Sequence, residues 1–305
     1  MTDDQKRKDI EGLLKSLKEE GAGDETRAER LERELEEERQ KRKEAEVKRD
    51  AEKWFTRGDN HYERGSYGES IKAYEKSVEL NPEKVAAWNN MGSAYLYMGQ
   101  LEKAIEHYEK AVKMMPGLAT GWYNLGGAYY QKGQFEKAIN ALEKALEIKP
   151  EDNDTREELG GIYSDLGNSY IDKGEYYRAI RACETALEKD SGNAHAWNNM
   201  GVAYFHMGQF KKAIEHYEKA IGLEPEFDTA WSNLGLAYNN DGQYEKAIDA
   251  LERAVELNPT DEIRTDILCT AYDNLGTTHN QRGKHDKAIR QLITKRENMI
   301  KRIKR

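Results

Sequence analysis

Two rare residues constrain this chain more than any other feature. Its only tryptophans are Trp54, Trp88, Trp122, Trp197 and Trp231, and its only prolines are Pro82, Pro116, Pro150, Pro225 and Pro259. Each proline stands 28 residues after one of the tryptophans. A chain that holds two rarities in one fixed relation is built of repeats. Each repeat is then a small unit that buries its apolar face only by stacking on its neighbours.

From Trp88 the pattern continues through Met91, Gly92, Tyr95, Gly99, Ala104, Tyr108, Ala111 and Pro116. The same offsets from Trp122 give Leu125, Gly126, Tyr129, Gly133, Ala138, Leu142, Ala145 and Pro150. This resembles the tetratricopeptide (TPR) repeat, W-x2-L-G-x2-Y followed by an alanine, an aromatic or leucine, and a proline, at a period of about 34. Seven copies begin at Ala51, Val85, Ala119, Gly160, Ala194, Asp228 and Cys269, and all keep both glycines. The resemblance implies an all-α TPR solenoid, a right-handed superhelix of helix pairs. It would occupy 51–283, with an N-terminal charged helical segment at 1–50. The last helix of repeat seven and a basic extension would fill 284–305.

The residues agree on physical grounds. At about 100° per residue, offsets 0, 3, 4 and 7 from the tryptophan share one helical face. The spacing predicts a first helix ending at Gly99 and its equivalents, where a left-handed conformation is wanted. The second helix presents small alanines for close approach and stops at the proline, which breaks helix interiors. The small glycine of the first helix should accept a bulky side chain from its partner.

Departures from the pattern carry information. Repeats four and seven have Tyr163 and Tyr272 in the tryptophan column, and Ser191 and Ile300 in the proline column. Repeat one has Arg57 where Leu or Met is expected, which suggests a partly solvated terminal unit. Seven extra residues, Asn153–Leu159 and Glu262–Leu268, precede repeats four and seven. Seven residues are nearly two helical turns, so these first helices should be lengthened by two turns. Thr155-Arg-Glu-Glu158 reads as a capping box starting the first of them. AWNNMG and HYEKA recur 109 residues apart, at Ala87 and Ala196 and at His107 and His216, so a three-repeat block is duplicated.

The ends differ from the body. Residues 24–50 are dense in Glu, Lys and Arg with i,i+4 pairs such as Glu29–Arg33, Glu37–Lys41, Glu38–Arg42 and Glu44–Lys48. They read as a solvated helix running into repeat one, with a short coiled coil or disorder as alternatives. Ile10, Leu13, Leu14 and Leu17 form an amphipathic stripe before Gly21-Ala-Gly23. That stripe suits either a cap on the solenoid or a docking motif. The basic tail suits a solubilising end, or attraction to membrane or nucleic acid.

Charge argues against several functions. The chain has a formal net charge of −9, with 14 basic and 17 acidic groups in 1–50 and 9 basic and 2 acidic in 284–305, which leaves −13 for 51–283. An acidic body disfavours nucleic acid as a partner. The absence of a long apolar run argues against a membrane span, and the start lacks an apolar signal core, so the expected location is cytoplasmic. Cys183 and Cys269 fit no metal or redox spacing, and the histidines form no metal motif. No nucleophile–base constellation stands out, so neither an enzyme, a cofactor nor a small-molecule substrate is expected.

Function is expected on the first helices. Offsets 2, 5 and 9 lie opposite the core face, and the resemblance places them along a concave groove. In repeats two to seven they are Asn90, Ser93, Tyr97; Asn124, Gly127, Gln131; Asp165, Asn168, Asp172; Asn199, Val202, His206; Asn233, Leu236, Asn240; and Asn274, Thr277, Gln281. Only Asp165 and Asp172 among them are charged, whereas a merely solvated face would carry Lys and Glu. Offset 2 is Asn90, Asn124, Asn199, Asn233 and Asn274, and an amide that donates and accepts suits a peptide backbone. This resembles the asparagine ladder of O-GlcNAc transferases, though nothing resembles their catalytic domain. The candidate peptide-binding set is these five with Tyr97, Gln131, Asn168, His206 and Asn240. The face lacks the Lys and Arg of the clamp with which related repeats hold chaperone tails. Tyr97, Tyr123, Tyr130 and Phe205 either pack between first helices or form ligand pockets. The expected function is a scaffold binding an extended protein segment. The alternative is a self-assembling protein that forms homo-oligomers through its N-terminal helix or end repeats.

Overall fold

The computed structural model of the chain describes residues 3–19, 25–259 and 262–281, with Thr294. Among the described residues there are fourteen α-helices and no strand. They are α1 (Asp3–Glu19), α2 (Glu25–Glu63), α3 (Tyr67–Leu80), α4 (Val85–Tyr97), α5 (Leu101–Met114), α6 (Ala119–Gln131), α7 (Phe135–Ile148), α8 (Asn153–Asp172), α9 (Tyr176–Lys189), α10 (Ala194–His206), α11 (Phe210–Leu223), α12 (Asp228–Asn240), α13 (Tyr244–Leu257) and α14 (Glu262–Gln281). Two compact units divide between Ala128 and Tyr129. The second helix of repeat seven, Gly283, the basic tail and the Gly21–Gly23 hinge lie outside the described residues.

Each repeat is a helix pair, as the columns require. In α11 the buried residues are Ala213, Ile214, Tyr217, Ala220 and Ile221, one stripe of an amphipathic helix. The column glycine of the first helix meets that stripe. A Cβ on Gly92 would stand 2.6 Å from the Tyr108 ring, and one on Gly201 would stand 2.5 Å from the Tyr217 ring. Cys183 faces Gly167, and Leu251 faces Gly235, in the same way. The second glycine column makes the turn. Gly65, Gly99, Gly133, Gly174, Gly208 and Gly242 all have φ between 71° and 79°. At Gly99 the N–H bonds Leu96 O and the Gln100 N–H bonds Tyr95 O, both at 2.9 Å, which closes the helix as a Schellman motif.

The structure explains why tryptophan and proline travel together. The Trp88 indole N–H donates to Pro82 O at 3.0 Å, and Trp122 and Trp231 donate to Pro116 O and Pro225 O at 2.9 Å. Each of these three tryptophans thus ties the loop before it to its own helix. In repeat four, Arg156 occupies the same offset from Pro150, and its guanidinium donates to Pro150 O at 2.5 Å.

Helices α8 and α14 have 20 residues each, against 13 for α4, α6, α10 and α12. The seven-residue inserts are helical. α8 packs in two registers one heptad apart. Towards the preceding helix α7 it counts from Arg156, so Tyr163 reaches Glu143 at 3.2 Å just as Tyr238 reaches Glu218 at 2.6 Å. Towards its own partner α9 it counts from Tyr163, so that Gly167 meets Cys183. Gly160, a heptad earlier, also lies against α9, where a Cβ would meet Ala186 O at 3.2 Å.

The start of α8 differs from the sequence expectation. Its N-cap is Asp152, whose carboxylate accepts the Thr155 N–H at 3.3 Å, whereas Thr155 is fully buried inside the first turn. An acidic side chain three residues upstream satisfies the free amide better than a hydroxyl already turned into the core. Asp152→Ala should lower stability by about 1 kcal/mol. Urea unfolding of the variant checks this, and an unchanged midpoint would remove Asp152 from the cap.

At the N-terminus, α2 runs unbroken from the charged segment into repeat one, and α1 packs against it. Ile10 and Leu35 are buried there, Leu14 is half-buried and Leu13 is exposed. So α1 rests on α2. The ion pairs of α2 include Glu36–Arg39, Glu38–Lys41 and Glu46–Arg49, spaced by three residues where four was expected. The Arg57 guanidinium lies 5.2 Å over the Trp54 ring, which accounts for its place in an apolar column. Among the described residues no helix is long and apolar enough to cross a membrane.

Candidate peptide-binding face

The five asparagines do form ladders, but their amides face the neighbouring helix before they face solvent. Within the first unit, Asn124 Nδ2 donates to Asn89 Oδ1 at 3.2 Å, and Asn90 Nδ2 donates to Asp59 Oδ1 at 3.1 Å. Asn89 and Asn90 are joined by a longer bond of 3.4 Å, so the chain of amides is continuous from α6 through α4 to α2. The second unit repeats the arrangement. Asn233 donates to Asn198 at 3.0 Å, Asn198 to Asn199 at 3.4 Å, and Asn199 to the Ser164 carbonyl at 3.2 Å. Asn274 donates to Asn239 at 3.0 Å.

This corrects the expectation that these side chains stand clear of the packing. They are half-buried in the seam between successive first helices. The helical wheel placed them opposite the partner helix correctly, but the next first helix lies there. Each amide N–H reaches the preceding repeat, whereas Oδ1 of Asn124 and Asn233 accepts from no protein group among the described residues.

The offset-9 residues are more exposed in each unit. Tyr97, Gln131, His206 and Asn240 are exposed at the ends of α4, α6, α10 and α12, and Asn168 is exposed on α8. Tyr97 is 65% exposed yet stacks on Tyr67, with centroids 5.0 Å apart and planes at 10°. Its counterpart one block later, His206, stacks on Tyr176 at 5.5 Å and 5°. The Asn240 amide donates to Leu236 O at 2.8 Å. Phe205 packs on Phe210, and Tyr130 donates to Asp165, so these two aromatics join neighbouring elements. The hydrogen bond to Asp165, with burial, pushes the Tyr130 phenol up to about 12. The Gln281 side chain lies outside the described residues.

Burial pushes the Cys183 thiol up to about 12, which keeps it a thiol facing Gly167. Among the described residues no three His, Cys, Asp or Glu side chains gather to hold a metal.

Models of the tetratricopeptide repeat match residues 194–227 and 229–261, and a further TPR repeat model matches 167–208. A model of the C-terminal TPR domain of cilia and flagella-associated protein 70 matches residues 8–156, including the two charged N-terminal helices. The chain is a tetratricopeptide-repeat protein. No curated protein matches its sequence. Solved structures are similar to the chain. The C-terminal part of a TPR repeat-containing protein from Cytophaga hutchinsonii matches with a TM-score of 0.57 at 18% identity, over 82% of this chain and 93% of its own. YrrB, a TPR protein with an unusual peptide-binding site, matches with a TM-score of 0.47 at 23% identity, over 64% of this chain and 96% of its own. In this TPR protein the repeat columns build the core, and the amide seams and the offset-9 row are what the core leaves over.

Proposed function

We propose that this TPR protein is a non-catalytic scaffold whose first-helix face, in each unit, binds the main chain of an extended protein segment. The observation that carries the reading is the pair of amide seams. Asn124 and Asn233 are held by their N–H groups, so each presents a fixed and unused Oδ1 acceptor to a ligand N–H. An acceptor whose orientation is set in advance binds at a smaller entropic cost. Beside the seams stand uncharged side chains, Tyr97, Gln131, His206 and Asn240, within a body of charge −13. That charge favours approach of a neutral or mildly basic segment.

The test uses a partner recovered by affinity capture. Asn124→Ala with Asn233→Ala should weaken its binding by about tenfold or more, the scale of one or two buried hydrogen bonds. Because both amides also bridge repeats, the double variant should lose about 1 kcal/mol of stability per site. Gln131→Ala with Asn168→Ala, both exposed, separates the two effects, with lower affinity expected at unchanged melting temperature. Full affinity in both double variants would move the site off the first helices.

A further inference from the structure

Repeats two, five and six share a tryptophan and a tyrosine at the same offsets; repeats two and five set a histidine from the second helix against them, whereas repeat six has alanine there, as repeats one, three and four do at Ala73, Ala141 and Ala182. In repeat two, the His107 ring sits against Trp88 and Tyr95, with centroids at 5.7 and 5.0 Å. The Lys110 ammonium lies 3.4 Å from the centre of the Trp88 ring. Repeat five copies this with His216 at 5.6 Å from Trp197 and 5.0 Å from Tyr204, and Lys219 at 4.2 Å over Trp197. Both histidines are fixed through Nδ1, at 2.8 Å from Lys103 O and 2.7 Å from Lys212 O.

Repeat six keeps the receptor and lacks the ring. Trp231 and Tyr238 stand at the same offsets, and Lys246 lies 5.2 Å over Tyr238 as Lys212 lies 5.0 Å over Tyr204. The histidine position is Ala250. The lysine position is Arg253, which turns to Glu256 at 3.4 Å. On the facing helix α11, Gly222 stands where the other two repeats carry Glu79 and Glu188. The result is a cavity of about 610 Å³ lined by Trp231, Leu234, Tyr238, Ile221 and Ala250. Pockets for small ligands span about 300–1,000 Å³. Among the described residues no ring or cation covers the Trp231 face, and its N–H is already given to Pro225 O.

The filled pockets show what the empty one accepts. Burial holds the His216 imidazole below its ordinary pKa, so that ring is neutral where it packs. In both cases the ring arrives with a lysine three residues on, whose ammonium crosses the tryptophan face. At the rim of the cavity stand two carboxylates and two cations: Asp249 is exposed, Glu218 already receives the Tyr238 hydroxyl at 2.6 Å, Lys246 lies over Tyr238, and Arg253 is turned to Glu256. A carboxylate at the mouth of an apolar, aromatic-floored pocket complements a ring with a cation beside it.

We propose that the cavity over Trp231 is a second binding site, which takes one neutral planar ring of imidazole to phenol size from a protein partner, with a lysine or arginine one turn away from it. The site lies on α11, α12 and α13 and is independent of the first-helix face, so either reading can fail alone.

The test is a titration of the ¹⁵N-labelled full chain with 4-methylimidazole at mildly alkaline pH. The indole N–H signals are read, and the Trp231 signal is assigned from Trp231→Phe. The Trp231 signal should move saturably in the millimolar range while the other indoles stay still. His216→Ala should bring the Trp197 signal into the response, because it empties the sister pocket. Ala250→His should abolish the Trp231 response. So should Gly222→Glu, where an added Cβ meets nothing within 4 Å, and this variant serves if Ala250→His does not fold. A still Trp231 signal beside a responding Trp197 in His216→Ala overturns the site, and so does an equal movement of all indoles. A helical peptide with His followed three residues later by Lys is the second arm. It should bind at least tenfold more tightly than 4-methylimidazole and lose that gain when its His becomes Ala. No gain over 4-methylimidazole would overturn the protein partner.

Discussion

Tyr217→Ala is expected to cost about 3–5 kcal/mol, the range for emptying a fully packed aromatic site. Tyr217 is 1% exposed, and its ring packs against Gly201. The reciprocal change is the more informative. Gly201→Ala gains about 1 kcal/mol of helix propensity, but its methyl would enter the ring at 2.5 Å. The ring is 1% exposed and would have to shift within a packed core, so overpacking wins and a net loss of about 1–2 kcal/mol is expected. Combined, the two changes should cost less than their sum by about 1 kcal/mol, because the new methyl enters the space left by the ring. Gly161 provides the contrast. An added Cβ there meets nothing within 4 Å, so Gly161→Ala should be neutral or stabilising by up to about 1 kcal/mol. Chemical denaturation of these four proteins decides the matter. Additive losses for Gly201 and Tyr217 would mean that the pair does not set the spacing of α10 and α11.

The second large effect is expected in alkali. Burial raises the phenols of Tyr74, Tyr108 and Tyr217, and those of Tyr62 and Tyr163 are pushed up to about 12. In the unfolded chain a tyrosine ionises near about 10. Above that pH the unfolded state gives up protons that the folded state keeps, so stability falls as pH rises. The contribution is complete below about pH 10 and is lost between there and the folded values. Each tyrosine held protonated costs up to about 1.4 kcal/mol per pH unit. Tyr74 and Tyr217 are at most 1% exposed, and together they account for roughly 3 kcal/mol per unit. By about pH 12 the loss reaches roughly 6 kcal/mol, enough to unfold a domain at the lower end of the usual range of about 5–15 kcal/mol. Phenolate absorbance and helical circular dichroism should change together. Smooth ionisation near the reference value with the helices intact would contradict this.

Much of this fold was readable from residues with one physical task. Tryptophan and proline in fixed relation marked the loop that the indole ties down. Glycine at two columns marked a close approach and a left-handed turn, and seven inserted residues ending in leucine marked a longer helix. The start of α8 was misread because a hydroxyl three residues before a glutamate looks like a cap whether or not it faces the core. The amide seams were half legible. A helical wheel shows which face turns from the partner helix, but it contains no neighbouring repeat to receive the Asn124 or Asn233 amide. The cavity at Ala250 is invisible along the chain, since an alanine in an alanine-rich helix says nothing until the ring it replaces is seen at His107 and His216.

The two registers of α8 set the increment by which this chain can change length. A heptad advances the helix by about 10 Å and turns it by only about 20° from its starting direction. If Asn153–Leu159 were removed, Tyr163 would fall at the offset of Arg156, Gly167 at that of Gly160 and Tyr170 at that of Tyr163. Both interfaces would find a compatible side chain, and an ordinary repeat would result. A single inserted residue would instead swing one face by about 100° and strand the glycines against solvent. The long helices are therefore places where whole heptads can be gained or lost without rewriting either neighbour, and lengths between those steps are forbidden.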